Sequence, residues 1–146
     1  MTHNQITTTL NQLLANYHIH YQRARAFHWN IKGPRFFELH LKFEEFYTDA
    51  LTKIDEVGER ILSLEGTPIS SLKEYLEKAQ LKESDSKITD VEMVNHIIQD
   101  FSTLVQEEKE IMKIATETAD ERTADLMNGY VASQEKTIWM LKSWLG

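Results

Sequence analysis

The chain has 146 residues, the length of one domain with its own core, and it carries a net charge of −7 and no cysteine. The missing cysteines exclude disulfides, a thiolate nucleophile and any thiolate-built zinc or iron–sulfur site. The acidic balance disfavours nucleic acid, which needs clustered Lys and Arg, and suits cations. No apolar run approaches the ~20 residues of a membrane span. The start, MTHNQITTTL, lacks the basic and apolar regions of a secretory signal, so a cytoplasmic location is expected. Five glycines and two prolines are too few for an all-β chain with its many turns, and favour long helices in a single domain over residues 1–146.

Ile6, Leu10, Leu13, Leu14, Tyr17, Tyr21, Ala24, Phe27 and Ile31 recur at spacings of three and four. That is the stripe of an amphipathic helix, predicted to end near Lys32. Gly33 can stop it, and Pro34 can open the next helix at its first turn. The second helix is predicted over residues 34–64, with Phe36, Phe37, His40, Tyr47, Leu51, Ile54, Gly58, Ile61 and Leu62 as its stripe. It stops at Glu65-Gly66-Thr67-Pro68. Residues 66–89 are more polar and read as a crossover, with a short helix opened by the capping-box pattern Ser71-Leu72-Lys73-Glu74. Thr89-Asp90-Val91-Glu92 repeats that pattern and opens helix three. Its stripe is Val91, Val94, Ile98, Phe101, Val105, Ile111 or Met112, and Ala115. After a polar break at residues 118–122, helix four carries Leu126, Met127, Tyr130, Val131, Ile138, Leu141 and Leu145. The expected fold class is all-α: a ferritin-like four-helix bundle, two hairpins joined by a crossover that holds a short helix.

Two groups carry candidate chemistry. His28 and His40 each lie six residues from the Gly33-Pro34 turn, so an antiparallel hairpin sets them opposite one another. Asp55 and Glu59 are four apart on helix two and share a face. Carboxylates beside apolar residues need a partner or a metal. The plainer alternatives are an ion pair with Arg60 and incidental histidines. His3, His18, His20 and His96 have no such partner and read as surface or packing residues. The fifteen residues from His40 to Asp55 span roughly 22 Å of helix, too far for one metal site. Either the pairs are unrelated, or the second comes from another subunit. A two-fold dimer with antiparallel second helices would place His40 opposite the partner's Asp55, and would do so twice. Two imidazoles and two carboxylates suit iron, manganese or zinc.

The ordered set His28-Trp29-Asn30, Gly33, Phe37, His40, Asp55-Glu56 and Glu59-Arg60, with Ile138-Trp139-Met140-Leu141-Lys142 near the end, resembles the Dps-type mini-ferritins over nearly the whole chain. The resemblance implies a hollow dodecamer with ferroxidase centres at its two-fold interfaces. Each centre would take His28 and His40 from one subunit and Asp55 and Glu59 from the other. It implies oxidation of Fe(II) at a mono-iron or di-iron site, usually with hydrogen peroxide in preference to dioxygen. The ferric mineral would be stored inside, protecting against oxidative stress. Within that frame Glu59 holds the tightest iron, and Asp55 bridges or holds the second. Glu44 stands where the family often has an aspartate, as a weak or water-mediated ligand. Trp29 and Trp139 match aromatic positions near the centre, with core packing as their expected role. Asp120 and Asp125 fall in the family's iron-entry region, where acidic residues also serve as helix caps. Some members bind DNA through basic tails. Here the first 22 residues contain no Lys or Arg, so no strong DNA binding is expected. The competing readings are a non-enzymatic or DNA-protecting shell with zinc in the site, and an unrelated helical interaction module.

Overall fold

The computed structural model describes residues 2–146, with side chains from Gln5 onward. His3 therefore lies outside the described side chains. The order is α1 (Thr2–Asn30), α2 (Phe36–Ser63), α3 (Leu72–Lys78), α4 (Asp90–Glu117) and α5 (Glu121–Leu145). The hairpin α1–α2 packs on the hairpin α4–α5 chiefly through α1 against α4, and α3 lies on α1. Among the described residues there is no strand, and no helix is long and apolar enough to cross a membrane. The predicted stripes of the first and fourth helices face the core, with Ile6, Leu10, Leu13, Phe27, Met127 and Leu141 buried.

Two expectations for α2 need correction. The helix opens at Phe36 rather than Pro34, because Gly33 takes φ 114° and the Phe36 N–H bonds the Gly33 carbonyl at 3.1 Å. Pro34 and Arg35 are thus spent on a turn before the helix begins. Nor is the sequence stripe the core face. The buried residues are Leu39, Phe43, Phe46, Ala50, Lys53, Val57 and Ile61. Phe37, Leu51 and Leu62 are exposed, at 80%, 54% and 58%. At 3.6 residues per turn the two sets lie about 120° apart around the helix. α2 has two apolar faces, and the single-stripe reading merged them. Val91 is likewise exposed, at the first turn of α4, while Met93, Ile97 and Leu104 complete that helix's core face.

Both predicted boxes form their N-caps, while Glu74 and Glu92 accept from the Ser71 and Thr89 hydroxyls instead. Ser71 Oγ accepts from the Glu74 N–H, and Thr89 Oγ1 from the Glu92 N–H, each at 3.2 Å. The crossover is held on α1 by three polar side chains. Asn11 donates to the Thr67 carbonyl at 3.0 Å and accepts from the Ile69 N–H at 2.9 Å. Asn16 accepts from the Gln80 and Leu81 N–H groups. Arg23 reaches the Lys82 carbonyl and Ser84 Oγ while pairing with buried Asp100 at 2.8 Å. His20 joins that cluster at 3.1 Å from Asp100, and His96 packs edge-on to Phe27, so both are packing residues.

A second polar network lies inside the bundle. The Tyr17 hydroxyl donates to Glu108, and Gln134 donates to the Tyr17 oxygen at 2.6 Å. Nearby Lys53 is buried, pairs with Asp49 and lies over the Tyr130 ring, whose hydroxyl donates to Glu56 at 2.7 Å. Burial pushes the Glu108 carboxyl up to about 8 and the Glu107 carboxyl up to about 7. Above the ordinary glutamate value of 4.5, the folded chain therefore keeps a proton that the unfolded chain has lost. Stability falls as pH rises through that window. The His18 ring, pushed down to about 4 by burial, acts in the opposite sense, but only below its ordinary 6.5. Urea denaturation at fixed protein concentration should show stability falling from pH 6.5 to 8. Glu108→Gln keeps an acceptor for Tyr17 and cannot ionise, so its loss should be markedly shallower. An unchanged slope would mean that Glu108 is ionised in the fold.

Candidate metal centre

The histidine pair forms as the hairpin predicts. Where α1 ends, the His28 carbonyl has no helical partner, and the His40 Nδ1–H donates to it at 2.8 Å. In return the His28 Nδ1–H donates to the His40 carbonyl at 2.7 Å. A carbonyl can only accept, so each Nδ1 carries a proton, and Nε2 is the ring nitrogen that each histidine would offer to a metal. The rings stack at 3.8 Å with 14° between planes. Phe36 stacks on His40 at 4.7 Å, and Tyr47 stands edge-on to His28 at 5.4 Å. Both rings are thus fixed in place.

Glu44 is the carboxylate nearest this pair. Its Oε1 lies 3.8 Å from His28 Nε2, too long for a hydrogen bond but within reach of a shared ion or water. Asp55 and Glu59 lie farther along the same outer face of α2 and are exposed. Arg60 does not neutralise them. It turns inward to Thr123 Oγ1 at 2.9 Å and Asp120 at 3.1 Å. Among the described residues no three His, Asp or Glu side chains of one chain converge on a metal position. The chain thus carries a nitrogen pair and a carboxylate pair at separate places on one face.

Asp55 and Glu59 line a pocket of about 220 Å³ between α1, α2 and the crossover. His18 lines it too. Its ring stacks on Tyr75 of α3 at 3.7 Å and 12°, and its Nε2 is buried without a hydrogen-bond partner. Burial keeps this ring neutral. The sequence reading passed over His18, although the hairpin register was enough to locate it. His28 faces His40, Tyr21 meets Tyr47 at 5.9 Å, and Leu14 shares the pocket with Ile54. Each pair of numbers sums to 68. On that register His18 falls opposite Ala50, little more than a turn from Asp55.

The tryptophans depart from expectation. Trp29 and Trp139 are each 64% exposed, so neither packs in the core of this chain. Trp29 follows His28 on the outward side of α1, with the Arg25 guanidinium over its ring at 5.2 Å. Asp120 caps α5 by accepting from the Thr123 N–H at 3.1 Å. Burial works to raise its carboxyl, but the Thr123 bonds and Arg60 outweigh it and hold it below the ordinary aspartate range. Asp125 is exposed one turn later.

The model of the ferritin-like domain matches residues 7–146. A DNA protection during starvation protein of Brevibacillus brevis is 43% identical over 140 residues, 96% of this chain and 94% of its own length. DNA protection during starvation protein 2 of Bacillus anthracis is 41% identical, covering 97% of each chain. Among solved structures, the DPS protein of Vibrio cholerae O1 is a member of the ferritin-like diiron-carboxylate superfamily. It superposes with a TM-score of 0.97 at 45% identity, covering 99% of this chain and 91% of its own. With these helices, this crossover and these relatives, the chain belongs to the ferritin-like family, as one of its Dps proteins.

Proposed function

We propose that this protein is an iron-oxidising, iron-storing mini-ferritin, a cytoplasmic dodecamer whose ferroxidase sites lie across two-fold interfaces. The observation that carries the reading is the reciprocal histidine lock. It leaves two Nε2 atoms as the ring donors, on a face where, among the described residues, Glu44 is the carboxylate nearby. A two-fold axis passing α2 near Tyr47 and Thr48 brings Asp55 and Glu59 of a second copy to those nitrogens. The same axis covers Leu51 and Leu62, which the single chain leaves exposed. Fe(II) is the substrate. Two carboxylates offset its charge, two imidazoles complete a borderline donor set, and Glu44 stands by for a second ion. With hydrogen peroxide the reaction balances as two Fe(II), one peroxide and two protons giving two Fe(III) and two waters. Consuming both reagents protects against oxidative damage, and the shell keeps the ferric product as mineral. Zinc fits the same donors and would compete. Asp120 and Asp125, near the start of α5, are proposed to line the path by which iron enters.

Metal-stripped protein loaded anaerobically with Fe(II) should oxidise it rapidly on addition of peroxide, with about two irons per peroxide. Asp55→Ala/Glu59→Ala should fall to the protein-free rate. Because both side chains are exposed, its circular dichroism and subunit stability should stay within about 0.5 kcal/mol of wild type. An unchanged rate would remove these residues from the site.

Mixing locates the site between subunits. His28→Ala/His40→Ala chains co-assembled in equal amounts with Asp55→Ala/Glu59→Ala chains form one whole site in each mixed dimer. Random pairing then restores about a quarter of wild-type activity. No recovery in confirmed mixed assemblies would put the site within one chain.

Because residues 1–22 contain no Lys or Arg, we also propose that these residues give the shell no appreciable DNA binding. A gel shift at physiological salt without free Mg²⁺ should show no complex. A salt-sensitive complex would contradict this.

A further inference from the structure

Phe37 is the most exposed large apolar side chain among the described residues, at 80%, and Leu41 one turn later is 60% exposed. At about 100° per residue, Phe37, His40, Leu41, Asp55, Gly58 and Glu59 share one side of α2. The Phe37 ring stands edge-on to Phe36 at 5.3 Å, and Phe36 stacks on His40 at 4.7 Å. The groove beside the carboxylates is built to complement such a ring. It holds about 220 Å³, with Leu14, Ile54, Leu62 and Ile69 among its walls. Gly58 lines it too, and a Cβ built there would meet nothing within 4 Å, so the glycine leaves a notch. The register of the proposed iron site connects ring and groove. An axis near Tyr47 and Thr48 sets His40 against the partner's Asp55. Phe37 lies three residues before His40, and Gly58 three residues after Asp55. Between antiparallel helices the same axis therefore sets Phe37 against the partner's Gly58. It sets Leu41 against the partner's Ile54, another residue of the groove.

We infer that the groove between α1, α2 and the crossover is the socket for Phe37 of the partner subunit, and that Phe37 is the residue that positions the two half-sites against each other. This deepens the ferroxidase reading and rests on its two-fold register. Each two-fold contact holds two such sockets, one beside each carboxylate pair. Seating the ring removes its own apolar surface and that of the groove from water. An aromatic side chain lodged in a pocket is the kind of anchor that dominates an interface. Through Phe36 the seated ring braces His40, so docking and the placement of a ligand nitrogen are one event. Gly58 matters by what it lacks, because a larger side chain there would occupy the seat from its own chain.

Two substitutions on metal-stripped protein test the socket from its two sides. Phe37→Ala removes the ring. Gly58→Leu fills the notch, where the chain itself leaves room, and leucine is the better helix former, so helix content by circular dichroism should hold. Each single variant should nonetheless dissociate at a protein concentration about tenfold or more above that of wild type, followed by sedimentation velocity. Phe37→Ala/Gly58→Leu returns an apolar side chain to the emptied seat and should recover part of the loss. Zn(II) affinity by calorimetry should fall and recover in the same order. Wild-type dissociation in both single variants, or a double variant looser than either, would overturn the inference and leave the ferroxidase reading to its own rate measurement. The expected dissociation, in a protein that oxidises iron no faster than Asp55→Ala/Glu59→Ala, would support the socket and remove the ferroxidase reading.

Discussion

Two hydrogen bonds across the α1–α2 turn hold the rest of the candidate site in place. Each of His28 and His40 gives its Nδ1 proton to the other's carbonyl. One of these bonds serves a carbonyl stranded by the end of α1, so a structural need of the hairpin is met by a side chain for which a second use is proposed. The lock fixes register, and register then fixes which residues meet. Tyr21 finds Tyr47, Leu14 comes to Ile54, and His18 comes beside the turn that leads to Asp55. Gly33, in the left-handed region with open space around it, makes the turn short enough for that pairing.

The crossover is the second constraint. It is carried by polar side chains rather than by a large apolar seam. Asn11, Asn16 and Arg23 lie at intervals along α1, and each reaches crossover backbone. Near its start Gly66 passes so close to α1 that an added Cβ would sit 2.8 Å from Thr7 Cγ2. These contacts set α3, and with it Tyr75, over the groove that holds His18. They also carry a large share of buried polarity, including the paired Asp100 and Arg23, so the arrangement is specific more than it is apolar.

Local signals in the sequence were legible where one residue type decides the backbone. Gly33, the Ser71 and Thr89 boxes and the polar break before α5 mark the helix ends to within a few residues. The histidine pairing was legible because it depends only on equal distance from a turn. α2 departs from its expected stripe because its apolar residues lie on two faces of the helix, and periodicity alone does not say which of two apolar faces the core takes. The exposure of Trp29 and Trp139 was not legible either, since a tryptophan's size and apolarity alone favour the core. Glu108 escaped because Tyr17, which lies 91 positions away, explains it only after folding. His18 was within reach of the register arithmetic. Its unpartnered nitrogen was not, since that depends on Tyr75 arriving from the crossover.

The separation of nitrogen and carboxylate pairs along α2 has a consequence for the life of the protein before assembly. On the proposed two-fold arrangement, every newly made chain holds two halves of different sites and no whole one. Such a chain cannot start oxidising iron alone, so no ferric product forms around a subunit that has not yet met another. The order of events is written into the spacing of one helix: encounter first, chemistry second.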